Sequence, residues 1–252
     1  MDKRQQIKEW FEAPKPNFPT GSFIIGIILG IVGIIVIASV AVLGIILFLG
    51  GVGMAIFPYM SYSKAKKRFE ARPSDQQMDQ WFFEDIQPII DKNALDKLGV
   101  DKSELIAESL VVPGPVFWSI PGFNSSEILR RTGNDGFNRY TVWTLQVFIF
   151  TENFLGSYKC NYNWIRNTCI NESTNEFFYK DVVSVKTDSE SSAYTLLDNQ
   201  KMEHAQAFQL NLPGDRVTVV IDHASLKTSS EMTSRVDKAV QSIRTMIRQK
   251  KS

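Results

Sequence analysis

Between Phe23 and Phe57 the chain runs thirty-five residues without one charged side chain. A stretch of this length and apolarity belongs in a bilayer. As one continuous helix it would measure ~52 Å at 1.5 Å per residue. The hydrocarbon core is only about 30 Å thick and takes ~20 residues. Two helices of about seventeen residues joined by a tight turn therefore fit, at the short end of the spanning range. The alternative is one helix tilted beyond the usual range, with the remainder on the membrane surface. The turn is expected at Ala38-Ser39, where Ser39 is the one polar side chain of the run.

Charge at the flanks favours the hairpin. Lys3, Arg4, Lys8 and Lys15 precede the run, and Lys64, Lys66, Lys67, Arg68 and Arg72 follow it. Positive charge stays on the cytoplasmic side, so basic flanks at both ends predict an even number of crossings. The expected protein is two-pass in the plasma (inner) membrane, with both termini and the main domain cytoplasmic. Trp10, Phe11, Phe18, Tyr59 and Tyr62 are candidate interfacial anchors. A cleavable signal is disfavoured, because cleavage after Ala41 would leave another long apolar stretch. Each Lys or Arg of the juxtamembrane stretch 61–72 near an anionic leaflet would add ~1 kcal/mol of attraction. Simple topology determination would use the same residues.

Glycines punctuate the run. Gly26 and Gly30 form a G-x-x-x-G pair with Gly33 on a nearby face, and Gly44 lies in the second half. Small residues let helices approach closely in lipid. They serve either self-association, up to a multimeric channel, or the packing of the two halves on each other. No ionisable group lies within the span, so nothing marks an ion path.

The net charge of +1 gives no global pull toward nucleic acid. Cys160 and Cys169 stand nine residues apart, and the histidines are His204 and His223. A four-ligand zinc site would need carboxylates to complete it, so no metal is expected. The two thiols stay free in a reducing compartment and can pair outside it. Asn124-Ser125-Ser126 and Asn171-Glu172-Ser173 match the glycosylation sequon, a triplet common by chance. No phosphate-binding loop, nucleophile elbow or metalloprotease motif is present. His204 beside Glu203 and His223 beside Asp222 read as ordinary surface or core pairs. Asp135, Glu152, Glu172 and Glu176 sit in or near turns, where carboxylates are solvated. The expectation is a chain that is no enzyme and needs no cofactor.

Four regions follow: an N-terminal cytoplasmic segment over 1–20, the transmembrane hairpin over 21–60, a basic stretch and small helical neck over 61–108, and a strand-rich domain over 109–252. In the neck, Ser74 caps a helix carrying Met78, Trp81, Phe82 and Asp85-Ile86 on one face, where Trp81 and Phe82 serve either a partner or packing against the adjacent domain. Pro88 should kink or end it, and Gly99 should stop the turn that follows. Leu110–Val112 and Val116–Trp118 frame Pro113-Gly114-Pro115 as a strand pair or bent edge strand. Gly133–Gly136 reads as a hairpin turn, and Asn153–Gly156 as another. Trp143, Leu145, Val147 and Ile149 alternate on one strand face. Residues 165–175 and 188–203 read as polar loops. Residues 177–186 read as one strand, with Val183 and Val185 inward and Ser184 and Lys186 outward. Phe208–Leu212 and Val217–Ile221 form a hairpin about Pro213-Gly214-Asp215. An amphipathic helix over about 230–250 closes the chain, with Met232, Val236, Ala239, Val240, Ile243 and Ile247 as its stripe.

An α+β domain of about seven strands closed by one C-terminal amphipathic helix resembles the pleckstrin-homology-like fold in its bacterial membrane-protein form. Phe178-Tyr179-Lys180-Asp181-Val182-Val183-Ser184-Val185, the Phe208–Ile221 hairpin and Ala239-Val240-Ile243-Arg244 carry the resemblance, over roughly residues 110–250. It implies a barrel or sandwich, with basic residues about an early hairpin as an anionic-ligand or lipid-headgroup site. Arg130, Arg131 and Arg139, which bracket the Gly133–Gly136 turn, are the candidates, since Arg grips phosphate bidentately. Cross-strand charge on a solvated hairpin is the plainer alternative, and in a bacterium phosphoinositides are not the expected ligand. The function expected is a non-enzymatic, membrane-anchored interaction or sensor module, presenting its domain to a protein partner or the anionic membrane surface. The second reading is an oligomerising, bilayer-permeabilising effector of the stress or phage-defence type, gated by that domain.

Overall fold

The structure is a computed structural model that describes residues 2–190, 194–202, 205–222 and 226–251. The neighbours Glu203-His204, and His223 beside Asp222, lie outside the described residues or have undescribed side chains. The chain divides into two compact units, Glu12–Pro73, and Met1–Phe11 together with Ser74–Ser252. The first helix, α1 (Lys3–Glu12), thus precedes the smaller unit in sequence yet contributes its residues through Phe11 to the larger one.

The smaller unit is a pair of helices, α2 (Thr20–Ile37) and α3 (Ala41–Glu70), both long and apolar enough to cross a membrane. The turn falls at 38–40, where the N–H groups of Ser39 and Val40 both donate to the carbonyl of Val36. Burial is inverted relative to a soluble hairpin. The residues hidden in α2 are Gly26, Gly30 and Gly33, and in α3 Gly44 and Gly51. The large side chains point outward, with Val42 71% and Phe57 74% exposed. Water would penalise such a surface, and lipid would not. α3 runs on through Lys64, Lys66, Lys67 and Arg68. At ~45 Å for its thirty residues it outlasts the hydrocarbon core.

The larger unit is built on a four-stranded antiparallel sheet. Its strands are β1 (Leu110–Pro115), β4 (Val142–Phe150), β5 (Phe154–Asn163) and β6 (Thr168–Phe178), in that spatial order. A short hairpin, β2 (Arg130–Thr132) and β3 (Asn138–Tyr140), is inserted before β4. The second sheet holds β7 (Ser184–Glu190), β10 (Ala205–Leu212) and β11 (Asp215–Asp222), in the order β11-β10-β7. Another small hairpin, β8 (Tyr194–Thr195) and β9 (Lys201–Met202), is inserted before β10. The sheets are separate and do not close into a barrel. β1 of the first sheet and β11 of the second run close together. A Cβ on Gly114 of β1 would lie 2.3 Å from the Val220 carbonyl oxygen of β11. Only glycine fits there. The two prolines of β1 are tolerated because β1 is an edge strand, paired with β4 alone.

Strand β4 is buried on both faces, and that sets the layering. Phe148 and Phe150 face the second sheet and meet Phe208, Leu210 and Val219 in one core. The C-terminal helix α6 (Ser230–Lys251) inserts Val236, Val240, Ile243 and Ile247 into this core. Each such Val or Ile adds about 1.5–3 kcal/mol when fully buried. On the opposite face Trp143, Leu145, Val147 and Ile149 lie in a second core under a helical layer. That layer is α4 (Asp75–Pro88), a π-helical turn over Ile89–Asn93 and α5 (Ala94–Leu98), joined by α1.

Met78, Phe82, Ile86, Ile89, Ile90 and Leu95 are all buried, so the helices of the neck pack against the strand-rich domain. Ser74 does cap α4, its Oγ accepting from the Gln77 N–H at 3.1 Å. The α-helical ladder ends at Pro88, and the chain continues as a π-helical turn in which the Ala94 N–H donates to the Ile89 carbonyl. Ile89 and Ile90 of this turn are buried in the core. Trp10 and Phe11 are core residues and not interfacial anchors. Phe18, Tyr59 and Tyr62 do cluster within the smaller unit, with Phe18 and Tyr62 ring centroids 5.2 Å apart.

Three strand expectations also change. The polar loop at 165–175 is mostly strand β6, whose side chains are largely exposed because it is the sheet edge. The single strand at 177–186 is broken by a 3-10 turn at Tyr179–Asp181. Val183 is 66% exposed, and Val182 is the buried neighbour. The turn expected at Asn153–Gly156 is tighter, with Thr151 Oγ1 accepting from the Phe154 N–H at 3.0 Å and Gly156 inside β5.

Candidate functional site

The three arginines about the first small hairpin do not converge on a shared open surface. Arg130 pairs with Asp198 at 2.5 Å and lies 4.3 Å from the Phe117 ring. Arg131 donates to the Trp10 carbonyl at 2.6 Å and the Phe11 carbonyl at 3.3 Å. These are last-turn carbonyls of α1, where a cation suits the helix dipole. Burial lowers the pKa of Arg131 below its ordinary value. Arg139 is the most enclosed, its side chain 5% exposed. Its Nε and Nη2 grip both oxygens of Asp79 at 2.8 and 2.6 Å, and Nη2 also reaches Asp135 at 2.7 Å. Burial works against this charge, but the hydrogen bonds and attraction of Asp135 and Asp79 outweigh it and raise its pKa. The Arg139 hydrogen bond holds the Asp135 carboxyl below the usual range, while burial raises Asp79 despite the same guanidinium. Arg131 and Arg139 thus tie the hairpin to α1 and α4, and Arg130 ties it to Asp198 between β8 and β9.

A second clasp was not legible from the sequence. Asp85 of α4 accepts from Lys3 Nζ at 2.8 Å, Arg4 Nη1 at 2.7 Å and Trp164 Nε1 at 2.8 Å. Two charges of the N-terminal flank are therefore engaged within the domain. The only hint was Asp85 on the apolar side of an amphipathic helix.

Among the described residues, a surface cleft of about 870 Å³ lined by Phe137, Thr228 and residues of α6 such as Ser234 and Asp237 has room for a ligand, as does one bounded by α4, β1 and α6. One part, about 470 Å³, is lined by Phe83, Ile90, Leu110, Val111 and Lys238 among others. A second part of about 470 Å³ is lined by Gln76, Asp79, Gln80, Glu84 and Glu231. Phe83 and Arg235 line both. The Arg235 guanidinium lies 3.9 Å from the Phe83 ring centroid, with Nη2 2.9 Å from Glu231. The cleft is apolar on one side of this stack and acidic on the other. Among the described residues no group of three His, Cys, Asp or Glu could hold a metal ion.

In the smaller unit the glycines form a seam between α2 and α3. A Cβ on Gly33 would meet the Phe48 nitrogen at 2.4 Å, and one on Gly26 would meet the Gly51 carbonyl oxygen at 2.7 Å. A Cβ on Gly44 would meet the Ile37 nitrogen at 2.4 Å. Gly30 is approached by Gly51, whose own Cβ would lie 2.5 Å from the Gly30 nitrogen. Gly51 belongs to the seam although the G-x-x-x-G spacing did not point to it. The basic stretch stands on the last turns of α3, with Lys64, Lys66, Lys67 and Arg68 exposed. Lys66 lies 3.8 Å from Glu70, and Arg72 packs over Phe69 at 3.4 Å. Comparison with family models, with curated proteins and with solved structures finds no match to this chain, so its function rests on geometry.

Proposed function

We propose that this chain is a two-pass, membrane-anchored, non-enzymatic interaction module whose pleckstrin-homology-like domain docks a protein partner from the cytoplasm. The observation that carries the reading is the split origin of the larger unit. Its α1 precedes the apolar helices and the rest follows them, yet they share one core. Both ends of the hairpin must then lie on one side of the bilayer, which requires an even number of crossings. The lysine-rich end of α3 favours that side being cytoplasmic. The pleckstrin-like reading is supported by a four-stranded and a three-stranded antiparallel sheet followed by a helix that fills their core. The two inserted hairpins and the helical layer depart from a compact version.

The engagement of Arg131 and Arg139 within the domain supports a protein partner over an anionic headgroup. The α4–α6 cleft suits an extended segment with apolar residues next to a basic one, by complementarity to Ile90, Leu110 and Val111 on one side and Glu84 and Glu231 on the other. The test is purification of the full-length protein from its native membrane, sized in detergent. The expected result is a hetero-complex that Gln80→Lys with Glu231→Lys dissolves. A partner-free homo-oligomer, or a complex indifferent to the substitutions, would overturn the reading, and the former would favour the effector.

A further inference from the structure

Strands β5 and β6 carry the two cysteines of the chain. The pairing runs Lys159 with Ser173, then slips to Asn161 with Ile170. Asn171 within the slip takes a φ of +54°, which Asn tolerates better than most residues. Cys169 pairs with Tyr162, and Cys160, two residues away on the same face of β5, stands diagonally across from it next to the slip, with Sγ atoms 3.0 Å apart and the Cys160 thiol donating. Both are free thiols, Cys160 buried and Cys169 partly exposed. Beside them Tyr158 donates to Glu172 at 2.9 Å, and Lys97 of α5 lies 3.3 Å from the same carboxylate.

We infer that Cys160 and Cys169 are a reversible dithiol site that reacts with a peroxide to form an intramolecular disulfide between β5 and β6. The geometry assigns unequal roles. The hydrogen bond from Cys160 stabilises a thiolate on Cys169 and lowers its pKa, while the same bond and burial raise that of Cys160. Cys169, the more accessible, is the attacking group. Its thiolate attacks one peroxide oxygen, the O–O bond breaks, and hydroxide leaves and takes a proton to become water. Cys169 is then a sulfenic acid, oxidised by two electrons. The Cys160 sulfur attacks the Cys169 sulfur, the S–O bond breaks, and the departing hydroxide takes the Cys160 proton as a second water. One S–S bond has formed and one peroxide has been reduced. The bond length is about 2.05 Å, so the sulfurs close by ~1 Å.

The site is independent of any partner in the cleft. Its test uses full-length reduced protein in detergent micelles, treated with hydrogen peroxide, unfolded in N-ethylmaleimide and cut with trypsin. Cleavage after Lys159, Arg166 and Lys180 puts the cysteines on separate peptides, residues 160–166 and 167–180. The expected product is these two peptides joined, lighter by two hydrogens and separated again by a reductant. In Cys160→Ala, Cys169 should stop at the sulfenic acid and be captured by dimedone. In Cys169→Ala, Cys160 should remain a thiol. Separate maleimide-labelled peptides at a peroxide dose that modifies Cys169 in Cys160→Ala would overturn the inference. So would an absence of both products, or Cys169 joined between two copies.

Discussion

A guanidinium that is nearly enclosed must be matched by anions, because taking a charge out of water costs several kcal/mol unless hydrogen bonds replace the lost hydration. Arg139 meets this condition through Asp79 and Asp135, with Asp75 at 4.0 Å. The consequence is asymmetric. Replacing Arg139 with Met leaves three carboxylates facing one another, and should lower unfolding stability by about 3–5 kcal/mol. Lys186→Met breaks the exposed pair with Asp188 and should cost about 0–1 kcal/mol. Chemical denaturation of the full chain in detergent, followed by tryptophan emission, separates the two. Near-equal midpoints would show that Arg139 is not the clasp described. At this scale the sequence displayed the residue types but not their partners. Arg139 and Asp135 are four apart, but Asp79 is sixty residues away, and only the packing of α4 on the hairpin brings it into reach.

An element shows its character in sequence when its environment is simple. Helix α6 packs one side on a core, so its stripe was readable residue by residue. Strand β6 is an edge held by backbone bonds to β5, with few apolar side chains to alternate, so it read as loop. The α4–α5 segment reads as separate helices because Pro88 lacks an N–H, and in the structure a π-helical turn over Ile89–Asn93 links them. The helices α2 and α3 owe their separation to glycine, which can be tested. Gly33→Leu puts a side chain where a Cβ already lies 2.4 Å from the Phe48 nitrogen, whereas a Cβ on Gly50 meets nothing within 4 Å. Overpacking typically costs about 1–3 kcal/mol. Fluorescence transfer between dyes on α2 and α3 should therefore report separation, or unfolding at lower denaturant, for Gly33→Leu alone. Equal behaviour of Gly50→Leu would refute the seam.

For the whole molecule, the constraint is that one folded unit is drawn from both sides of the apolar pair. Ser39→Cys, in the turn, should react with a membrane-impermeant maleimide applied to intact cells, and Asp2→Cys, beside α1, should not. Labelling of Asp2→Cys from outside would invert or abolish the proposed topology. The sequence by itself determined the two apolar helices, their turn and the closing helix. These depend on hydropathy and local periodicity, which are properties of neighbouring residues. Tertiary structure alone decided that α1 and α4 pack on the sheet, that the sheets stay separate, and that Arg131 and Arg139 serve as clasps within the domain. Each of those depends on side chains far apart in sequence satisfying one another's charge, hydrogen bonds or volume, and no local pattern records which of the possible partners the fold will choose.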